Sequence, residues 1–163
     1  MRQPPPFRIG QGVDVHRFTS GDHVMLCGVK IPHTQALLAH SDGDVALHAL
    51  CDALLGAMAL GDIGRHFPDN DPAWRGVDSR VLLRHVVGLM HKQGYAIANL
   101  DVTILAERPR ITPWVLAMQQ VLAEDLLIAV DQISVKATTT EKLGFVGREE
   151  GITALASVLL CVG

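Results

Sequence analysis

Two histidines, two aspartates and a serine fall within one stretch, Leu38-Ala39-His40-Ser41-Asp42-Gly43-Asp44-Val45-Ala46-Leu47-His48, and an Asp14-Val15-His16 triplet stands a short way upstream. Carboxylates and imidazoles at this density suit a metal-centred site. Catalytic zinc takes three protein ligands of this type and leaves a fourth position for water or substrate. Residues 12–18 read as a strand entered from a glycine-containing segment, and side chains two apart on a strand share a face. Asp14 and His16 therefore project side by side as two ligands of the three, and the third must come from elsewhere.

Downstream, Val45, Leu47, Leu50, Leu54 and Met58 recur at spacings that predict a helix over 44–60, with Asp44 placed to cap its start. On it Asp44, His48 and Asp52 stand four apart and share a stripe, while the leucines take another. His48 is then a polar intrusion on an apolar helix, either a hydrogen-bonded histidine or a ligand. Asp52 is placed to orient His48 from behind, or to sit as a solvated carboxylate. His40-Ser41-Asp42-Gly43 reads as a turn. It delivers polar groups to a helix N-terminus, which favours anions, or it is simply a cap and its approach loop.

Two further loops carry polar residues that a core does not require. Residues 61–71, rich in Gly, Asp and Pro, read as an Ω-like loop in which Asp62 and Asp69 can accept hydrogen bonds from sugar-like hydroxyls, or as a connection only. Residues 138–148 leave a strand with three threonines, Glu141, Lys142 and Arg148. That set suits phosphate oxygens and a hard metal such as Mg²⁺, though a threonine-rich strand with a solvated turn has the same composition.

The positioning elements form one α+β unit without an internal repeat. A strand pair over 24–31 breaks at Gly28, a helix over 78–94 ends at its glycine, and 97–106 alternates as a strand. Pro113 opens a helix running to about 127, followed by a strand over 133–137. Residues 152–162 fit a buried strand or a helix, and their length and hydrophobicity favour strand.

At 163 residues the chain is long enough for one well-cored domain, and a net charge of -3 argues against a nucleic-acid footprint. The three cysteines, Cys27, Cys51 and Cys161, lack the spacing of a thiolate zinc site or a disulfide framework, which suits a reducing cytoplasm. Residues 1–7 hold three prolines and no apolar core of a signal peptide, and are expected to form a disordered lead to a single domain over 8–163. The longest apolar run, 152–162, is too short to span a bilayer. With 48% hydrophobic and 19% charged residues, part of the apolar surface is expected to close against another subunit.

Five motifs, in order along nearly the whole chain, resemble those of the 2-C-methyl-D-erythritol 2,4-cyclodiphosphate synthase family of the non-mevalonate isoprenoid route. They are Asp14-Val15-His16, His40-Ser41-Asp42-Gly43-Asp44, Gly61-Asp62-Ile63-Gly64, Phe67-Pro68-Asp69 and Lys136-Ala137-Thr138-Thr139-Thr140-Glu141-Lys142-Leu143-Gly144-Phe145. The resemblance implies cyclisation of 4-diphosphocytidyl-2-C-methyl-D-erythritol 2-phosphate, with release of CMP. It also implies an α+β fold with a mixed sheet and helices on one face, related to the ferredoxin-like class and assembled as a homotrimer with active sites between subunits.

Carried over position by position, the resemblance makes Asp14, His16 and His48 zinc ligands and Glu141 the ligand of a second metal, Mg²⁺ or Mn²⁺, bridging substrate phosphates. His40 and Thr139 become the catalytic pair that stabilises the transition state. Substrate would be held by Asp14, Val15, His16, His40 and Ser41, by Asp62, Ile63 and Gly64, and by Phe67, Pro68, Asp69, Asn70 and Asp71. Its cytidyl diphosphate part would lie against Ala106, Glu107, Arg108, Pro109, Arg110, Ile111 and Thr112, with Thr138, Thr139, Thr140 and Glu141. Phe145 and Arg148 match a pocket on the trimer axis that takes isoprenoid diphosphates. No nucleic acid or membrane partner is implied. Two positions depart from the family pattern: Arg110 replaces an expected Lys, and Glu149 stands where a small residue is usual. Two other functions fit parts of the pattern, a generic zinc-dependent phosphohydrolase with Asp52 as base, and a non-catalytic isoprenoid-diphosphate-binding trimer.

Overall fold

In the computed structural model, which describes residues 6–163, seven strands and five helices follow the chain. A long first strand β1 (Phe7–Ser20) is followed by a hairpin, β2 (His23–Leu26) and β3 (Val29–Pro32), and by a short β4 (Gln35–Leu37). Helix α1 (Val45–Ala57), the single-turn α2 (Ile63–His66) and α3 (Ser79–Lys92) precede β5 (Tyr95–Leu105). Then come α4 (Val115–Leu126), β6 (Ile133–Thr138), the single-turn α5 (Gly144–Gly147) and β7 (Gly151–Val162).

Five strands form one sheet in the order β4-β1-β7-β5-β6, while β2 and β3 pair apart from it. Only β5 and β6 run parallel, so the sheet is mixed as expected. One face is covered by helices. Toward them point Ile152, Ala154, Ala156, Val158 and Leu160 of β7, and Val102 and Ile104 of β5, all buried. A bulge between Ile97 and Asn99 resets the alternation of β5, so that Tyr95 and Ile97 before it and Leu100 after it all face the core. The opposite face leaves Ile9, Val13 and Val15 of β1 exposed.

Helix α1 is the hub. Two residues on β1, Gly10 and Gly12, let it settle directly on the strand: a Cβ at either would come within 1.9 Å of a carbonyl oxygen of α1, that of Ala53 and of Ala49 respectively. The facing helical residues, Ala49, Ala53 and Ala57, are small in turn. Close backbone approach of this kind makes α1 buried on nearly every side, where periodicity predicted a separate polar stripe. Only Asp52 and Gly56 escape burial. The cap by Asp44 forms as predicted, its side chain accepting the Leu47 N–H at 3.0 Å.

Other predicted elements appear with shifted ends. Gly94, at φ +78°, follows α3 as the stop signal required. A 3₁₀ turn holding Pro113 precedes α4, so the α-helix proper begins at Val115. Residues 152–162 lie within strand β7, not a helix. Phe7, which the sequence assigned to the lead, opens β1, whereas residues 1–5 of that expected lead lie outside the described residues. Among the described residues no helix is long and apolar enough to cross a membrane.

Candidate active site

The glycine-alanine contact decides which helical side chain joins Asp14 and His16. Because α1 runs against β1 with Ala49 over Gly12, the preceding residue, His48, falls beside the next side chains on that strand face, Asp14 and His16. His48 Nδ1 lies 3.3 Å from Asp14 Oδ2, and His16 Nε2 lies 3.5 Å from the same oxygen. The two rings meet edge to face, 5.1 Å between centroids. Asp14 Oδ2 is buried yet hydrogen-bonded to neither ring. A buried carboxylate oxygen without a donor costs free energy unless a cation completes it, and two imidazoles beside it give a donor set of the kind that binds a divalent metal. One ligand atom from each of the three residues lies within 4.8 Å of the others, so the donor set fits a metal.

The two imidazoles differ in their electrostatics. Burial holds the His16 imidazole below its ordinary range, in the neutral form that a ligand needs. At His48 burial acts in the same sense, but the carboxylates of Asp14, Asp44 and Asp42 outweigh it and draw its pKa upward. A metal ion at His48 therefore has to displace a proton that these carboxylates help to hold.

The far side of His48 holds a surprise. Its Nε2 lies 2.9 Å from Ser79 Oγ and 3.1 Å from Ser41 Oγ. Ser79, fully buried at the start of α3, was absent from the sequence-based site. Asp52, which the sequence offered as the residue behind His48, instead accepts the Ile63 N–H at 2.8 Å and ties α1 to the loop beyond it. Asp44, on the same stripe, is fully engaged away from His48. Its carboxylate accepts the backbone N–H groups of Cys27, Gly28 and Leu47, clamping α1 to the β2-β3 turn, and complete burial pushes its pKa up to about 6.

A cavity of about 350 Å³ opens beside Asp14, His16 and His48. His40 and Ser41 line it, as do Ile63, Gly64, Phe67 and Asp69 from the second motif loop. Trp74, Val77 and Leu82 complete it, and none of them had a sequence signal beyond hydrophobicity. Trp74 stands edge-on to Phe67 at 4.9 Å, which fixes the apolar wall. Asp62 and Asp71 do not line this cavity. Their carboxylates cap α2 and the 3₁₀ turn Pro72–Trp74, accepting the Arg65 and Ala73 N–H groups. Pro68 and Asn70 also stand outside its lining.

A second cavity, about 230 Å³, lies past the ends of the parallel strands β5 and β6. Ala106, Glu107, Pro109, Arg110, Ile111 and Thr112 line it together with Ala137, Thr138 and Thr139. Its rim is braced by Glu107, whose carboxylate accepts the backbone N–H groups of Thr140 and Lys142. Arg108 turns away to Glu149, 3.8 Å distant. Within one chain the two cavities share no lining residue, so His40 and Thr139 belong to different places. Glu141 is exposed, at φ +54°, and is not part of the Asp14-His16-His48 cluster.

Phe145 borders a third cavity, about 440 Å³, together with Val15, His16, Arg17, Glu150 and Gly151. Arg148 is paired with Glu150, and Glu149 takes a left-handed backbone conformation, φ +57°. That conformation is ordinarily eased by a residue without a Cβ.

This arrangement has close relatives. A 2-C-methyl-D-erythritol 2,4-cyclodiphosphate synthase of Azotobacter vinelandii is 65% identical over 94% of this chain and 98% of its own length. The protein of the same name from Thioalkalivibrio sulfidiphilus is 63% identical, over 94% and 96%. Among solved structures, IspF of Plasmodium falciparum in complex with CDP is similar at 36% identity and a TM-score of 0.86, with 98% of this chain and 99% of that one covered. Residues 7–161 match the YgbB family, and the chain belongs to it.

Proposed function

We propose that this protein cyclises 4-diphosphocytidyl-2-C-methyl-D-erythritol 2-phosphate to 2-C-methyl-D-erythritol 2,4-cyclodiphosphate and releases CMP, as an enzyme of isoprenoid precursor synthesis. The observation that carries the reading is the Asp14-His16-His48 cluster, with its undonated carboxylate oxygen, opening onto a cavity lined by His40 and Ser41. An oxygen of the 2-phosphate forms a bond to the β-phosphorus. The bond from that phosphorus to the bridging oxygen breaks, and its electron pair leaves with CMP. Nucleophile and electrophile belong to one molecule, so the protein has mainly to fold the substrate and neutralise charge.

Asp14, His16 and His48 would hold Zn²⁺, which supplies Lewis-acid polarisation of a phosphate oxygen. Glu141 offers one exposed carboxylate to Mg²⁺ or Mn²⁺, ions commonly bound by one or two carboxylates plus substrate phosphates. His40 and Ser41 donate hydrogen bonds to the phosphate at the erythritol end, and Thr139 does so at the cytidyl end. Cytidine would occupy the second cavity, where Arg110 presents a forked guanidinium to the diphosphate. The exposed Ile9, Val13 and Val15 on the open sheet face support a homotrimer that brings the first cavity of one chain to the second of its neighbour. One helical layer on one sheet also supports kinship with ferredoxin-like folds. Three free cysteines, two of them buried, support a cytoplasmic setting. Phe145 and Arg148 would face an isoprenoid diphosphate on the trimer axis. Calorimetry with geranyl diphosphate tests that assignment, and an absence of heat would end it.

Phosphorus NMR of the purified protein with the cytidyl substrate, Zn²⁺ and Mg²⁺ tests the reaction. Cyclodiphosphate and CMP should appear together. Products of attack by water would indicate a phosphohydrolase, and no turnover would indicate a binding protein. Engagement of Asp52 with the Ile63 N–H disfavours the former, because a hydrolase needs a free base beside its water.

A further inference from the structure

We infer that Ser79 and Asp42 are positioning residues that hold the proton of His48 on Nε2 and so leave Nδ1 free for the metal. The inference rests on the reading of Asp14, His16 and His48 as ligands. It follows from counting protons along a chain of contacts. Asp42 receives three donors: Ser79 Oγ and the Asp44 N–H on Oδ1, and the Ser79 N–H on Oδ2. A carboxylate so surrounded acts as acceptor only.

Ser79 has one hydroxyl proton, and it is given to Asp42. Toward His48, 2.9 Å away, Ser79 Oγ can then offer only a lone pair. Two lone pairs facing each other at that distance would repel, so His48 Nε2 must carry the hydrogen. The neutral imidazole has one N–H, and Nδ1, the atom nearest Asp14 Oδ2, is left as the unprotonated nitrogen that coordinates metal. Ser41 extends the count. Its Oγ stands 3.1 Å from the same Nε2, sharing that one hydrogen with Ser79 in a three-centre bond, and accepts the Gly43 N–H at 3.3 Å. With both lone pairs so directed, its own proton is available to the cavity that it lines, where an anionic substrate group would receive it.

The contacts also join three distant stretches of chain. Asp42 precedes α1, His48 lies on it, and Ser79 opens α3. Seating α3 on Asp42 thus sets the imidazole at a nitrogen remote from the metal, the usual way a ligand histidine is oriented.

Nitrogen-15 NMR of metal-free, histidine-labelled protein reads the tautomer directly once the pH is raised past the point at which the His48 signals stop titrating. His48 should carry its proton on Nε2, and a proton on Nδ1 overturns the inference. In Ser79→Ala the His48 signals should move toward a mixture of tautomers. Competition against a chromophoric chelator should show zinc binding weakened by about 10- to 100-fold, with saturation still at the wild-type stoichiometry. Unchanged zinc affinity in a folded Ser79→Ala protein overturns it as well. A wild-type protein that binds no zinc would defeat the ligand reading instead, and the tautomer of the metal-free protein decides this inference in either event.

Discussion

Gly12 lies so close beneath Ala49 that an added Cβ would stand 1.9 Å from the Ala49 carbonyl oxygen. This contact joins the strand that carries Asp14 and His16 to the helix that carries His48, and it sets the spacing of the three side chains.

Gly12→Ala therefore has to push α1 off β1, because the obstacle is helix backbone and not the end of a flexible side chain. The expected cost is about 3 kcal/mol or more, together with loss of tight zinc binding. Thermal melting and zinc titration check both. Gly88→Ala, on α3 with nothing within 4 Å of the new methyl, is expected to gain about 0.5–1 kcal/mol. A destabilised Gly88→Ala beside an unaffected Gly12→Ala would contradict this account of the packing.

His48→Ala should abolish turnover and zinc binding together while the protein stays folded. Removing the metal from the wild type with a chelator should reproduce the loss of activity, and added Zn²⁺ should restore it. Elemental analysis of the variant is the check: full zinc stoichiometry would remove His48 from the ligand set.

Asp125, buried on α4, receives Arg80 through two contacts, at 2.6 and 3.0 Å, and Arg84 through one at 3.0 Å, both from α3. Asp125→Ala strips the buried end of that cluster and is expected to cost about 3 kcal/mol. Urea denaturation measures it. A change below about 0.5 kcal/mol would mean that the cluster is a solvated surface pair of little consequence.

Ile9 is 81% exposed on the open face of the sheet. If that face closes a trimer, Ile9→Glu should convert the assembly to single chains in light scattering and lose activity. Each chain should keep its zinc, since the ligands lie on the other face. An intact trimer in this variant would place the interface elsewhere.

Much of this was legible in local sequence. The two-residue spacing of Asp14 and His16 put them on one strand face, and Asp44 caps its helix as its type and position demand. Other features depended on distant chain. Asp52 was the obvious residue behind His48 on a helical wheel, but Ser79, 31 residues away, takes that place because α3 docks beside α1. The polar stripe predicted for α1 failed for a related reason. Gly10 and Gly12 looked like a strand entry, and only the folded sheet shows that they admit a helix to backbone contact. Short β4, α2 and α5 carried no periodic pattern at all. Three residues of β4 are ordered by pairing with the end of β1, which no window along the chain contains.

The separation of the two cavities has a consequence for mixed assemblies. If each reaction centre takes its metal half from one chain and its nucleotide half from the next, His48→Ala and Thr139→Ala chains damage different halves. Either alone should be inactive. Randomly co-assembled at equal amounts, they should regain about a quarter of the wild-type centres, since each intact half is present with a chance of about one in two. Two dead proteins would then make a living one, by complementation between neighbours.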